Sequence, residues 1–567
     1  MPSPDTTLLF LQLPQLDNDV SVAPENVPLA AHYLAYSLSR TPMAARTQCR
    51  VAPPNTDTMD DRTLVNWIVR QQPDLLVGTL YLWNIERFLH IAGQVRRKRP
   101  RTTIMVGGPE VARNHPFLFE SDAIDAAASG EGEIVFPLMV DAWQHHRTTS
   151  CNTVAWRRGH RWVWGHTPPP PVHLPDILPP ANGRLNRPDS NGMAYLETTR
   201  GCPLRCTFCS YAHQRRSRSA IGPEAVIQRI RILHQRGARE IRFIDPTFNS
   251  NPHFDAILDA ILQFNRTKSV RFFAEIRADT ITTRQAHLLK KANFTDLEVG
   301  VQSRSPRVLR AIQRPSRIQP LLTGIRRMVR QHIHLTVDLM AGLPGQTPAD
   351  IRADLEWAYR IPDTQVQFLH TLLIPGTRLR EQRTSLKLQA ADRPPYRVYA
   401  TPLLSQDSLE QAEMFARTRG GNLPDSPARK LVAYRLPDRF PESVRFRPAP
   451  PPVPFPGHTN RRAILIRGKD LFSRRARIAQ WISRAITQEP HILCQFVVCP
   501  EQEEPLDLFD GMIRQIRNHE PHWLDRLSTD PEHRLVARRV MVLLPEKFRP
   551  SRSWRRAVTD LLEASCY

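Results

Sequence analysis

Two stretches of this 567-residue chain repeat one pattern, a short run of apolar residues, a turn, then a helical period. In the first stretch Thr7 to Leu13, Leu75 to Leu80 and Thr103 to Gly107 read as strands and Leu29 to Ser39 as a helix. Strands apolar on both faces need cover on both faces, which a doubly wound parallel sheet supplies. Gly107-Gly108-Pro109-Glu110 follows one strand and Ser129-Gly130-Glu131-Gly132-Glu133 a later segment, which places glycine-rich turns at the edge where open α/β sheets bind ligands. Tight turns alone would explain the same glycines.

The pattern breaks between Cys151 and Pro180, where Trp156, Trp162 and Trp164 suggest a hairpin and Pro168 to Pro171 an extended connector. The first domain is therefore assigned to residues 1–145 and a linker to 146–190. The second stretch, residues 191–385, places strands at Ala194 to Glu197, Glu240 to Ile244, Val270 to Ile276, Leu297 to Val301, Leu335 to Met340 and Gln367 to Leu373. Six βα units make a partial (β/α)6 barrel, whose chemistry sits at the carboxyl ends of its strands. Cys202, Asp245, Glu275, Gln302, Gly342 and Pro375 fall there. The proline-rich stretch 448–456 marks another linker within residues 386–567, a smaller α/β or α+β domain with strands at Ala463 to Ile466, Cys494 to Val498 and Val540 to Leu544. The fold class is α/β, with a Rossmann-like first unit.

Composition narrows the function. No run approaches the roughly 18 apolar residues of a membrane helix, and Leu8 to Leu13 lacks the flanks of a signal peptide, so a cytoplasmic protein with no membrane span is expected. Lys and Arg number 78 against 55 Asp and Glu, a balance of +23. Its arginines are spread along the chain, which fits either an anionic partner or plain compositional bias.

The sharpest signal is Thr199-Arg200-Gly201-Cys202-Pro203-Leu204-Arg205-Cys206-Thr207-Phe208-Cys209, directly after the first strand of the second series. Three thiolates on one loop suit an iron–sulfur cluster and leave one iron open. A structural zinc site, with His213 as fourth ligand, is the alternative. Cys494 and Cys499 lie along one apolar strand and read as core residues.

Cys202-x3-Cys206-x2-Cys209, with Phe208 before the last cysteine, resembles the signature of the radical S-adenosylmethionine (SAM) enzymes. The resemblance implies that the three cysteines hold a [4Fe-4S] cluster, that its open iron chelates SAM, and that reductive cleavage yields a 5′-deoxyadenosyl radical. It implies that Asp245, in Asp245-Pro246-Thr247-Phe248-Asn249 where the family usually carries Gly-Gly-Glu, contacts the methionine amino group. Glu275 and Arg277 would contact the carboxylate and ribose, unless they form a buried ion pair. Glu298, Gln302 and Ser303 resemble the ribose position, and Gly342 of Gly342-Leu343-Pro344-Gly345 would let backbone approach the adenine.

The order of Asn26 to Ala31, Tyr81-Leu82-Trp83-Asn84, Gly107 to Glu110 and Gly130 to Glu133 is similar to the cobalamin-binding (B12) domain fused to many such proteins. It implies contacts from Tyr81, Trp83, Asn84, Gly107, Gly108, Pro109, Glu110, Gly130 and Glu131. The motif Asp-x-His-x-x-Gly is absent, so no histidine is expected beneath cobalt, and Tyr81, Trp83, Asn84 or Arg87 should lie nearest that face. Pro394-Pro395-Tyr396 to Ser405-Gln406-Asp407 looks like a subgroup with an uncharacterised carboxyl-terminal domain. The implied activity is B12-dependent methyl transfer to an unactivated carbon or phosphorus of a small-molecule or peptide substrate, with an electron donor such as flavodoxin or ferredoxin. A cyclisation or rearrangement using the same cofactors is the second reading, and an RNA-modifying or RNA-binding protein the third, although no basic patch interleaved with stacking aromatics is evident.

Overall fold

The structure, a computed structural model, describes residues 6–16, 26–181, 183, 187–211, 218–314, 317–419, 431–433, 443–445, 459–527 and 535–566. His213 and the proline stretch 448–456 lie outside the described residues. Strand β1 (Thr6–Leu11), β2 (Thr47–Val51), β3 (Leu75–Thr79), β4 (Thr103–Gly107) and β5 (Ala126–Ala128) form a parallel sheet in the order β2-β1-β3-β4-β5. Leu8 and Phe10 point to the helices Leu29–Ser39 and Gly132–Gln144, while Leu9 and Leu11 point to Asp61–Gln71 and Ile85–Lys98. That alternation, apolar both ways, is the reason the strand is sandwiched.

The sheet does not stop at residue 145. β6 (Val154–Arg158) and β7 (Arg161–Trp164) add to it as an antiparallel hairpin, β5 pairing with β6 through Ala126 and Trp156. An exposed strand edge invites pairing, and the tryptophan-rich segment covers this one. Trp162 Nε1 donates to the Phe119 carbonyl at 2.8 Å and the two rings meet edge to face at 5.1 Å.

The second unit begins with β8 (Met193–Leu196), followed by a two-residue antiparallel pair, β9 (Thr199–Arg200) and β10 (Ser219–Ala220). β11 (Glu240–Phe243), β12 (Arg271–Ile276), β13 (Phe294–Gln302), β14 (His334–Ala341) and β15 (Thr364–His370) then extend β8 into a parallel sheet of six strands in sequential order. The sheet curves as a partial barrel, with no pairing between β15 and β8 among the described residues. Phe243, Phe248, Phe272 and Phe294 stack within it, the Phe243 and Phe248 rings 4.2 Å apart. This unit runs past residue 385. β16 (Gln389–Ala390) and β17 (Val398–Ala400) precede the helix Gln406–Arg419, and Leu404, Leu409 and Ala416 bury in the barrel's own core.

The last unit is α/β. β18 (Val432–Ala433), β19 (Ser443–Arg445), β20 (Arg461–Gly468), β21 (Leu493–Pro500) and β22 (Arg538–Leu543) pair in parallel in the order β18-β22-β21-β20-β19. It docks on the first unit: Arg462 pairs with Asp60 at 3.0 Å, Asp61 N donates to Glu489 at 3.1 Å, and Leu16 and Trp83 enter its core. Cys494 and Cys499 are buried on β21, where burial pushes their thiols up to about 12 and about 11. They are packing residues. No helix among the described residues is long and apolar enough to cross a membrane.

Candidate active site

After β8 the chain turns over the carboxyl edge of the barrel, and Asp245 fixes that turn. Its Oδ1 accepts from Thr198 N at 2.6 Å and Thr199 N at 2.9 Å, and its Oδ2 accepts from the Thr198 hydroxyl. Buried backbone N–H groups need acceptors, and this carboxylate supplies them. Both of its oxygens are thereby committed and Asp245 is fully buried, so the expected SAM contact is corrected to a role in holding the loop. Thr207 N then donates to Ile312 O at 2.9 Å, Leu379 N to Thr207 O at 2.8 Å, and Arg314 Nη1 approaches Cys206 Sγ at 3.7 Å. Phe208 packs between two small apolar clusters. Burial pushes the Cys206 thiol up, and Arg314 opposes it.

The loop closes one side of a cavity of about 280 Å³. Cys202, Cys206 and Cys209 line it together with Thr247, Glu275, Arg277, Glu298, Gln302, Arg314 and Asp338. Glu275 and Glu298 are direct cross-strand neighbours on β12 and β13, and Asp338 follows on β14. Burial, followed by the Glu298 charge, pushes Glu275 up to about 7 and Asp338 up to about 8. Carboxyls in that condition either hold a proton or meet a cation. Gln302 Oε1 and Asp338 Oδ1 are buried with no hydrogen-bond partner. Such orphaned acceptors are the mark of a site made for a donor-bearing ligand.

Sequence expectation and geometry part at several residues. Glu275, Arg277, Glu298 and Gln302 do face the cavity, but Arg277 pairs with Asp279 at 2.6 Å, not with Glu275. Ser303 donates to Asp354 at 2.7 Å, fully buried away from the cavity. Gly342, at φ +85°, forms a turn beside Val398 and Thr371 and is not on the wall. Asp338, Arg314 and Thr247 were not anticipated. Asp338 had a signal, a lone acid inside the apolar strand His334–Ala341; Arg314 had none, since only the fold brings it to Cys206.

The predicted cobalamin residues all stand at the carboxyl edge of the first sheet. Tyr81 and Trp83 stack face to face with ring centres 4.4 Å apart. Gly108, at φ +104°, lets backbone pass where a Cβ would lie 2.6 Å from Leu80 O. Asn84 is instead buried under the edge, accepting from Tyr81 N at 2.8 Å and donating to Leu13 O and Thr79 O at 3.1 Å. Glu110 is buried too, accepting from the Tyr396 hydroxyl at 2.7 Å and lying 3.2 Å from His115 Nε2. Arg87 pairs with Asp61 at 2.7 Å under the interface with the last unit. These three are corrected to structural roles, because buried polar groups take protein partners first. Glu131 is committed as well: Arg200 Nη1 donates to Glu131 at 2.9 Å and to Glu133 at 2.7 Å, while its other two nitrogens grip Glu197 at 2.8 and 2.7 Å. Arg200, two residues before Cys202, thus ties the cysteine loop to the ligand edge of the first sheet.

Residues 196–358 match the radical SAM superfamily and residues 19–140 the B12 binding domain family. This chain is a radical SAM protein with a B12 binding domain. It is 28% identical over 292 residues to an uncharacterized methyltransferase of Pyrococcus horikoshii, covering 49% of this chain and 62% of that one. It is 27% identical over 305 residues to the cobalamin-dependent radical SAM methyltransferase TokK of Streptomyces tokunonensis, covering 50% and 44%. The chain thus spans about half the length of these curated relatives. In fold it resembles the radical SAM methyltransferase TsrM from Kitasatospora setae, with TM-score 0.55 and 17% identity over 71% of this chain and 82% of that one.

The residues of this radical SAM protein fit its implied groups. Among the described residues no three His, Cys, Asp or Glu side chains converge on a point where one metal ion would sit. Cys202, Cys206 and Cys209 line one side of the cavity and offer three thiolates, the donor set that a cluster with one open iron takes. The cavity beside the thiols carries the unpartnered acceptors that an ammonium and ribose hydroxyls require. At the carboxyl edge of the first sheet Tyr81 stacks on Trp83, whose far side packs against the last unit, and Gly108 turns the backbone beside Leu80. His115, the histidine nearest that edge in sequence, has Nδ1 accepting from Leu118 N at 2.9 Å and Nε2 facing Glu110 and Tyr396.

Proposed function

We propose that this protein is a cobalamin-dependent radical SAM methyltransferase that uses a [4Fe-4S] cluster, SAM and cobalamin to methylate an unactivated carbon or phosphorus of a small molecule or peptide. One observation carries the reading: Arg200 joins the loop of Cys202, Cys206 and Cys209 to Glu131 and Glu133 at the ligand edge of the B12 binding domain. Two cofactor sites built independently would need no such tie. When bound, the cofactors supply one-electron cleavage of SAM and a transferable methyl group.

The chain's own residues hold and orient. Glu275, Glu298 and Asp338 accept from the ammonium and hydroxyl donors of SAM, and the two raised carboxyls gain the cation that burial otherwise denies them. Arg314 offsets thiolate charge at Cys206. Phe208 and the apolar clusters behind it exclude water from the loop. Three of the matched relatives bear methyltransferase names, which favours methyl transfer over cyclisation or rearrangement.

The test is incubation of the reconstituted protein with dithionite and SAM carrying a deuterated methyl group. The reading expects 5′-deoxyadenosine, S-adenosylhomocysteine and a cobalamin that has gained the labelled methyl. Recovery of intact SAM alone refutes it.

A further inference from the structure

Most sheet edges among the described residues are guarded by charge or by brevity. In the first sheet the edge strands β2 and β7 carry Arg50 and Arg161, and in the last the edge strands β18 and β19 are two and three residues long. Both devices discourage a further strand from adding. The edges of the barrel are β8, of four residues, and β15, of seven. β15 reads Thr364-Gln365-Val366-Gln367-Phe368-Leu369-His370, with no proline, acid, lysine or arginine, and pairs with β14 in unbroken register. None of its residues is fully buried.

The two ends of β15 show where its backbone points. Leu335 N donates to Asp363 O at 3.2 Å, and Thr371 N donates to Ala341 O at 2.8 Å. In a parallel ladder alternate residues turn to the same neighbour, so the odd-numbered residues of β15 serve β14. Thr364, Val366, Phe368 and His370 turn their N–H and C=O groups the other way, where no strand pairs with β15 among the described residues. The edge is held in place, by β14 along its length and at its end by His370 Nε2, 2.6 Å from Arg397 Nη2.

Side chains alternate as well. Val366 and Phe368 pack on the core between sheet and helices, so Gln365, Gln367 and Leu369 share the inner face with Asp338, which pairs with Gln367 and lines the cavity beside the cysteines. Leu369 is 38% exposed on that face, and neither glutamine makes a hydrogen bond among the described residues.

We propose that β15 is a strand-addition site and that the methyl acceptor is a peptide docking on it in extended form. The inference rests on the proposed function and deepens it by choosing a peptide over a small molecule. A small ligand is held in a concave pocket by a few polar groups. An open row of backbone donors and acceptors, with unbonded carboxamides at alternate positions, matches the repeat of another main chain. An added strand lies about 4.8 Å outside β15, which sets its residue level with Gln367 roughly 10 Å from the backbone of Asp338. Its alternate side chains then point to the inner face, towards the SAM cavity.

The experiment follows hydrogen exchange of the full reconstituted chain by mass spectrometry, resolved to single residues. The probe is a pool of synthetic peptides of randomised sequence, long enough to span β15; a second pool, N-methylated at every residue, offers no main-chain donors. In the free protein the amides of Val366, Phe368 and His370 should exchange about tenfold or more faster than those of Gln365, Gln367 and Leu369. The first pool should slow them by about threefold or more and the second should not. With dithionite and SAM carrying a deuterated methyl group, label should enter peptides of the first pool. Val366→Pro removes one outward donor and none of the bonds to β14, so it should cut both the slowing at Phe368 and the labelled product by about fivefold or more, with the β14 amides unchanged. Outer amides that are already slow in the free protein, slow only at high protein concentration as a second copy would make them, or slowed equally by both pools overturn the proposal. So does slowing with no labelled peptide, or a Val366→Pro protein that behaves as wild type. A wild-type protein that cleaves no SAM strikes the proposed function instead, and the exchange comparison still decides whether β15 accepts a strand.

Discussion

Removing the guanidinium of Arg200 should loosen the junction between the B12 binding domain and the radical SAM barrel. Arg200 is 8% exposed, and its partners Glu131, Glu133 and Glu197 are 15%, 11% and 6% exposed. Arg200→Met leaves three carboxylates facing one another in a poorly solvated junction without their cation. Breaking a buried pair by deleting one partner costs about 3–5 kcal/mol, and the partly open glutamates place the expected loss near the lower end, ~3 kcal/mol. For a cooperative unit of 150–250 residues, each kcal/mol lowers Tm by about 2–4 °C, so scanning calorimetry should show a fall of ~6–12 °C. Arg200→Lys should recover less than half, because an ammonium cannot reproduce the paired bonds to Glu197. Arg284→Met serves as the control; its contacts to Asp255 and Asp259 are long, at 3.4 Å, and exposed, and Tm should move by less than ~2 °C. An Arg200→Met protein melting within ~2 °C of wild type, or full rescue by lysine, would show that the Arg200 fork does not hold the junction.

Tyr396→Phe deletes the hydroxyl that donates to buried Glu110 and should cost about 1–3 kcal/mol in denaturant unfolding; a loss below ~0.5 kcal/mol would show Glu110 to be satisfied without it. Glu489 is pushed up to about 8 by burial and by Asp61 and Asp60, from about 4.3 in an unfolded chain. The stability it contributes is full below the unfolded value and is lost as pH rises through the folded one, so Tm should decline between about pH 5 and 8. Glu489→Gln keeps the acceptor for Asp61 N and should flatten that decline; parallel wild-type and variant profiles would contradict it. Glu275→Gln should weaken SAM binding about 10- to 100-fold in equilibrium dialysis of the reconstituted protein, since hydrogen bonds to charged groups contribute about 1.5–3 kcal/mol; unchanged affinity would remove Glu275 from the site.

What could be read in the chain followed local pattern. The strands at Leu75–Thr79, Glu240–Phe243 and Leu493–Pro500 announced themselves as apolar runs, and the cysteine spacing announced its loop. β5 did not, because Ala126–Ala128 has no period to detect, and with it went the knowledge that a hairpin extends the first sheet beyond residue 145. The site divides on the same principle. Position at a strand end was legible for Glu275, Glu298 and Gln302. Whether a polar side chain turns to the cavity or to a buried backbone was not, and Asp245, Asn84, Glu110 and Ser303 each proved to be held by protein partners. Arg314 and Arg200 gain their roles only from contacts across more than 60 residues of sequence, as with Arg200 and Glu131.

One chain is proposed to hold both an iron–sulfur cluster and cobalamin. The most direct test is metal content per chain after anaerobic purification with cobalamin, for wild type and Cys206→Ala. Wild type should carry about four irons and about one cobalt, with iron lost and cobalt kept in the variant. Zinc in place of iron, or iron without cobalt, would contradict it.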